Sequence, residues 1–174
     1  MRHAFLLLIF LLAPLANASP IAGMPQMPQF TGQQPQHWLT SPPLRREDVH
    51  GKVVLIDVWT FGCWNCYRSI PWLQAVERKF AGRPFQVIGI HSPEFAYEKN
   101  RARLAARIAE FRIGYPVMMD NDLAYWNALH NRYWPAFYLV DKQGRLRFVH
   151  VGETHAGDRQ AQRIDGEIDR LLAE

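Results

Sequence analysis

From Trp38 onward, the spacing of apolar positions switches between the two periods that separate strands from helices. VVLIDVW (53–59) is almost unbroken apolar and rich in β-branched residues, the pattern of a central strand covered on both faces, and FQVIGIH (85–91) repeats it. Between them Ile70, Leu73, Val76 and Phe80 recur at helical spacing and predict a helix over 65–80 that Gly82 and Pro84 stop. Leu104, Ile108 and Phe111 predict a second helix over 99–112, ended by Gly114, with a short apolar run at 115–119. DNDLAYWNALHNRY (120–133) predicts a third helix capped by Asp120, Asn121 or Asp122. AFYLVD, the turn KQG and RLRFVHVG predict a hairpin, and Ile164, Ile168, Leu171 and Leu172 a closing helix. This order defines a layered α/β domain with a central mixed β-sheet flanked by helices.

The N-terminal fifth of the chain is different. Arg2 and His3, the run FLLLIFLLAPLA and the small residues Ala16-Asn17-Ala18 read as an export signal over 1–18. The run falls well short of the ~20 apolar residues a membrane span needs, and no later segment is long and apolar enough either. The expected product is periplasmic or otherwise exported, and soluble after cleavage before Ser19. Residues 19–36, with four prolines and five glutamines, are expected to form a flexible tether, leaving the domain at 37–174.

Composition adds a few exclusions. A chain of 174 residues that is 48% hydrophobic fits one well-buried core. The net charge of +4 is mild, and the basic stretch around Arg101, Arg103, Arg107 and Arg112 carries apolar residues at helical spacing, so it reads as a solvated helix face with no nucleic-acid partner. Asp120 and Asp122 lack the glycine and distal glutamate of a calcium loop.

The only two cysteines stand at Cys63 and Cys66, at the predicted junction of strand and helix. A structural disulfide across so short a loop removes little unfolded-state entropy. Zinc lacks a second pair of ligands. Copper(I) accepts two thiolates, and Met24 and Met27 could extend such a site, so a copper(I)-binding carrier stays open as an alternative. Reversible dithiol chemistry has a direct physical basis in this spacing. The first sulfur lies among unpaired N–H groups at the positive end of the helix dipole, which favour its thiolate, and the second waits one turn in. Cys63 then attacks and Cys66 resolves the mixed disulfide. Asp57, inside an apolar strand six residues earlier, is either a buried carboxyl of raised pKa, able to accept a proton from Cys66 through water, or a side chain that escapes at the strand end; we favour the first. His91 reads as a strand-end histidine and not as a base.

The stretches GKVVLIDVWTFGCWNCYRSIPWL, GIHSPEFAYEKN, YPVMMDNDLAYWNALHNRYWPAFYLVD and GRLRFVHVGE resemble the thioredoxin superfamily, and within it the exported TlpA-like branch that includes the soluble domain of DipZ-type cytochrome biogenesis proteins. The resemblance implies a thioredoxin-like fold with an N-terminal extension. It puts Cys63 and Cys66 at the nucleophile and resolving positions, Asp57 at the buried acid, Pro71 at the bend of the active-site helix and Pro135 at the cis proline facing the cysteines. Glu94 matches an acidic residue near the site, although it equally suits a surface loop. Trp59, Trp64, Asn65 and Trp134 fall at substrate-contacting positions. Asn65 replaces the proline common before the second cysteine, and its side chain is expected to cap the first turn.

The resemblance further implies a thiol:disulfide oxidoreductase with no cofactor beyond the Cys63–Cys66 couple. Its partners would be protein disulfides or thiols, apocytochromes or metal-centre assembly proteins among them, and a membrane electron donor. A thioredoxin-fold adaptor is the other alternative. Trp64 and Asn65 bring no charge to the cysteines, which favours a reductant.

Overall fold

A computed structural model describes residues 25–174, and the expected export signal lies outside them. Six strands form one mixed sheet: β1 (Trp38–Leu39), β2 (Val53–Trp59), β3 (Phe85–His91), β4 (Val117–Met119), β5 (Ala136–Val140) and β6 (Leu146–Val151). Their order is β1-β4-β3-β2-β5-β6. β2, β3 and β4 run parallel, while β1, β5 and β6 each pair antiparallel with their neighbour. The helices are α1 (Trp64–Lys79), α2 (Arg101–Glu110), α3 (Ala124–Ala128) and α4 (Arg159–Ala173).

Alternation along the central strands divides the core in two. Val53, Leu55 and Trp59 of β2, with Phe137 and Leu139 of β5, face α1, α2 and α4 through Ile70, Leu73, Val76, Leu104, Ile108, Ile164 and Ile168. Val54, Ile56 and Val58, with Tyr138 and Val140, face the opposite side, where α3 supplies Tyr125 and Trp126. Because both faces of β2 are covered, all seven of its residues are buried, which is why its sequence lacks a polar alternation.

The expected tether is corrected by the structure over its described part. Met27 and Phe30 are both 0% exposed. Phe30 stacks on Tyr125 with ring centroids 5.6 Å apart and meets Trp38 edge-on at 5.4 Å. The Met27 N–H donates to the Gly144 carbonyl at 2.8 Å and the Leu146 N–H to the Pro25 carbonyl at 3.0 Å, so the segment straps the β5–β6 hairpin. Two isolated apolar residues among prolines and glutamines have no periodicity to read, yet each fills a place in the core. Burial also removes the Met27 thioether from any exposed copper arm, and Met24 lies outside the described residues.

Helix ends depart from expectation in two further places. The third helix runs only from Ala124 to Ala128, because Leu129 caps it and His130 turns left-handed at φ 53°. Asp120 does cap it: its carboxylate accepts the Tyr125 N–H at 2.8 Å and the Trp126 N–H at 2.9 Å. The second helix stops at Glu110, and the left-handed residue beyond it is Arg112 at φ 54°, not Gly114.

If the strap belongs to the core, Phe30→Ala should lower the unfolding free energy by about 3–4 kcal/mol in urea titration, as for a buried phenylalanine. A loss under about 0.5 kcal/mol, the surface-residue range, would return this segment to a tether.

Candidate active site

β2 ends at Trp59 and α1 begins at Trp64, so Cys63 falls on the N-cap of α1. Its extended backbone (φ −83°, ψ 113°) turns the sulfur back over the first turn, where it accepts the Cys66 N–H at 3.1 Å. The two cysteines form a disulfide, their Cα atoms 5.2 Å apart. Cys63 is partly exposed and Cys66 is buried, the asymmetry that separates an attacking from a resolving sulfur. The expected Asn65 cap is corrected here: the Cys63 side chain itself takes the cap bond, and Asn65 stands exposed.

Asp57 is buried, only 2% exposed, between Gly89 of β3 and Phe137 of β5. It shares the face of β2 with Leu55 and Trp59, which pack against Cys66 and Ile70 of α1. Its Oδ2 accepts the Tyr115 hydroxyl at 3.2 Å. Burial pushes its pKa up to about 7, and the Tyr115 bond opposes that rise. The same burial, with the nearby carboxylate, raises the Tyr115 phenol well above its ordinary value and keeps it a donor. Room for this pair depends on Gly89, where a Cβ would stand 3.0 Å from the Trp59 indole nitrogen and 3.1 Å from the Tyr115 ring.

His91 is fully buried at the end of β3, stacked on Phe61 at 5.4 Å. Its Nε2 accepts the Phe61 N–H at 3.3 Å, and burial pulls its pKa down to about 3, so it is a neutral prop for the turn before Cys63. Pro135 follows a cis peptide bond from Trp134. Trp134 is half-buried, donates its indole N–H to the Ser92 carbonyl at 2.9 Å and packs on Trp126 at 4.2 Å.

Trp59 and Glu94 both stand close to the turn before Cys63. Trp59 is buried beneath the site, edge-on to His91, so it supports and does not contact a substrate. Glu94 is exposed on the loop after β3, and the buried acid of that loop is Glu98. Glu98 accepts the N–H of Gly62 at 2.9 Å, of Glu94 at 2.7 Å and of Phe95 at 2.9 Å. Neither Glu98 nor Tyr115 is among the site residues expected from sequence. The available signals were a carboxylate four residues after the matched Glu94 and a tyrosine opening a short apolar run. The exposed rings at the site are Trp64, 67% exposed, with Tyr67 at 5.4 Å, and Phe95 stacked on Tyr97 at 5.8 Å.

The model of the AhpC/TSA family matches residues 25–149. The chain belongs to the AhpC/TSA family. It is 41% identical over 119 residues to Protein DipZ of Mycobacterium tuberculosis, 67% of this chain and 17% of that relative. It is 28% identical over 148 residues to the thiol-disulfide oxidoreductase YkuV of Bacillus subtilis, 85% of this chain and 95% of YkuV. The crystal structure of the thioredoxin-like superfamily protein SPOA0173 superposes with a TM-score of 0.74 at 29% identity, covering 87% of this chain and 97% of that one. The chain thus spans under a fifth of the DipZ length, and its family and fold are thioredoxin-like, in the TlpA-like branch. No helix among the described residues is long and apolar enough to cross a membrane.

The raised Asp57 pKa has a definite sign in stability. Between its unfolded value of about 3.9 and about 7, the folded state binds more protons than the unfolded state, so this group's contribution to stability falls as pH rises across that window. Asp57→Asn should therefore match the parent near pH 4 and exceed it by on the order of 4 kcal/mol above pH 8, read by denaturant unfolding of the oxidised protein. Tyr115→Phe should move the window to higher pH, and a parent curve with no slope from pH 4 to 8 would contradict the burial of an ionising Asp57.

Proposed function

We propose that this chain is an exported thiol–disulfide oxidoreductase that reduces disulfides of partner proteins through the Cys63–Cys66 couple. The observation that carries this reading is the Cys63 sulfur on the N-cap of α1, within 3.1 Å of the Cys66 N–H and bonded to a buried Cys66.

In the reduced state, the Cys63 thiolate attacks one sulfur of a partner disulfide. A Cys63–partner bond forms, and the other partner sulfur leaves as a thiolate that takes up a proton. Asp57, half ionised near neutral pH, accepts the Cys66 proton through an intervening water. The Cys66 thiolate then attacks the Cys63 sulfur, closing the ring and expelling the second partner thiol. The partner gains two electrons and two protons, and Cys63–Cys66 returns to the disulfide. Because the second thiol is already adjacent, release is intramolecular and fast relative to capture of a free thiol. No cofactor beyond the couple enters this cycle.

The uncharged Trp64 and Asn65 between the cysteines support the reducing direction. The partners proposed are cysteine pairs of exported proteins, apocytochromes or metal-centre assembly proteins among them, with a membrane donor restoring the dithiol. Export itself rests on the leader-like pattern of residues 1–18.

Cys66→Ser should accumulate mixed disulfides with partner proteins on non-reducing gels, and Cys63→Ser should not; equal trapping would reverse or remove the assigned roles. Equilibration of the parent with glutathione should give a potential nearer roughly −270 mV than roughly −120 mV, the reducing and oxidising ends of thioredoxin-like couples. A value at the oxidising end would make the chain an oxidant.

A further inference from the structure

The turn from β2 into α1 uses its backbone donors in a fixed way. The Phe61 N–H goes to His91 Nε2 at 3.3 Å, the Gly62 N–H to Glu98 Oε1 at 2.9 Å, and the Cys63 N–H to the Thr60 carbonyl at 3.2 Å. Glu98 is fully buried, and both its oxygens act only as acceptors, as an ionised carboxylate does. A buried charge is costly unless donors surround it, and here three N–H groups do.

Gly62 shows how closely the carboxylate is fitted. Its φ is not left-handed, so the glycine is not there for backbone freedom. A Cβ at position 62 would run into the Glu98 carboxylate and stand 2.6 Å from the Tyr97 hydroxyl.

We propose that Glu98 is a positioning residue of the redox couple: it holds Gly62, and so Cys63, at the start of α1, and its charge offsets part of the positive field of the helix N-terminus. The helix start favours the Cys63 thiolate, and a neighbouring anion disfavours it. The thiolate exists only in the dithiol state. In the half-reaction, the disulfide takes two electrons and two protons to give two thiols, so whatever disfavours the thiolate makes reduction harder and the dithiol a stronger reductant. This inference deepens the proposed function and rests on its reading of Cys63–Cys66 as a dithiol couple.

The other ionisable groups on the surrounding elements do not substitute for Glu98. Asp57 of β2 bonds Tyr115, and His91 of β3 is held neutral. Arg68 of α1 pairs with Glu153 at 3.0 Å, which also pairs with His155. Glu94 and Lys99 flank Glu98 on its loop with exposed side chains, and Tyr97 is half-exposed. Of these, Glu98 is the one bonded to the residue directly before Cys63.

The test reads the Cys63 thiol directly, from the pH dependence of its alkylation by iodoacetamide in a Cys66→Ser background. Glu98→Gln should lower the Cys63 pKa by about one unit, a tenfold rise in thiolate below that pKa. With both cysteines present, it should shift the equilibrium with glutathione toward the dithiol several-fold. Glu98→Asp, which keeps the charge, should stay near the parent. An unchanged Cys63 pKa in Glu98→Gln, with only the melting temperature lowered, would overturn the proposal. Should Glu98→Gln not fold, the parent labelled with ¹³C at glutamate carboxyls decides: the Glu98 carbon must follow the Cys63 titration in the reduced form and lose that step in the oxidised form, since coupling is reciprocal. Identical curves in both forms would overturn it equally. Because a small alkylator reads the thiol, inactivity on protein disulfides would remove the oxidoreductase reading without touching this result.

Discussion

A helix cannot satisfy the N–H groups of its own first turn, and in this chain one of them points at a sulfur. The remainder of the site is arranged around that contact. β2 lies in the middle of the sheet, paired on both sides, and delivers the chain to the start of α1 at a fixed height. A neutral histidine, a buried carboxylate and a carbonyl then take the next three backbone donors, so Cys63 can occupy only the cap. The cis Trp134–Pro135 bond is the entry to β5, the other neighbour of β2, and Trp134 is tied to the end of β3 through the Ser92 carbonyl. Three strand ends thus meet at the same end of the sheet, from which α1 begins.

The electrostatics follow from the same placement. The face of β2 that packs α1 carries a buried carboxyl at its centre, with the Tyr115 phenol as its hydrogen-bond donor. A group in that position titrates near neutrality and can hold or give up a proton at little cost. Glu98, with three backbone donors, is treated differently by the fold: one carboxyl is starved of donors and the other is supplied with them.

Much of this could be read from residues alone. VVLIDVW identified a central strand and an anomalous Asp57, because an unbroken β-branched run leaves a carboxyl nowhere polar to go. The cysteine spacing identified the couple, because only a helix start gives two thiols three apart unequal surroundings. What stayed hidden depended on contacts distant in sequence. Phe30 needs Trp38 and Tyr125 to make sense of it, and a proline- and glutamine-rich neighbourhood hid it. Glu98 differs from Glu94 only in the direction a short turn gives its side chain. Tyr115 donates across 58 residues to Asp57, a pairing that no local pattern encodes. The third helix ends at Ala128 although apolar spacing continues past Leu129, because His130 turns left-handed.

Gly89 gives the architecture a further consequence. It lies in the strand interior, where glycine is ordinarily a weakness. Its missing side chain is the space that the Trp59 indole and the Tyr115 ring share beside Asp57. One added carbon would press on both at once, so each ring would have to give by a few tenths of an ångström to admit it. Random drift should therefore change this glycine more slowly than the open glycines at 114 and 166, and a single hydrogen atom becomes a guarded part of the acid's setting.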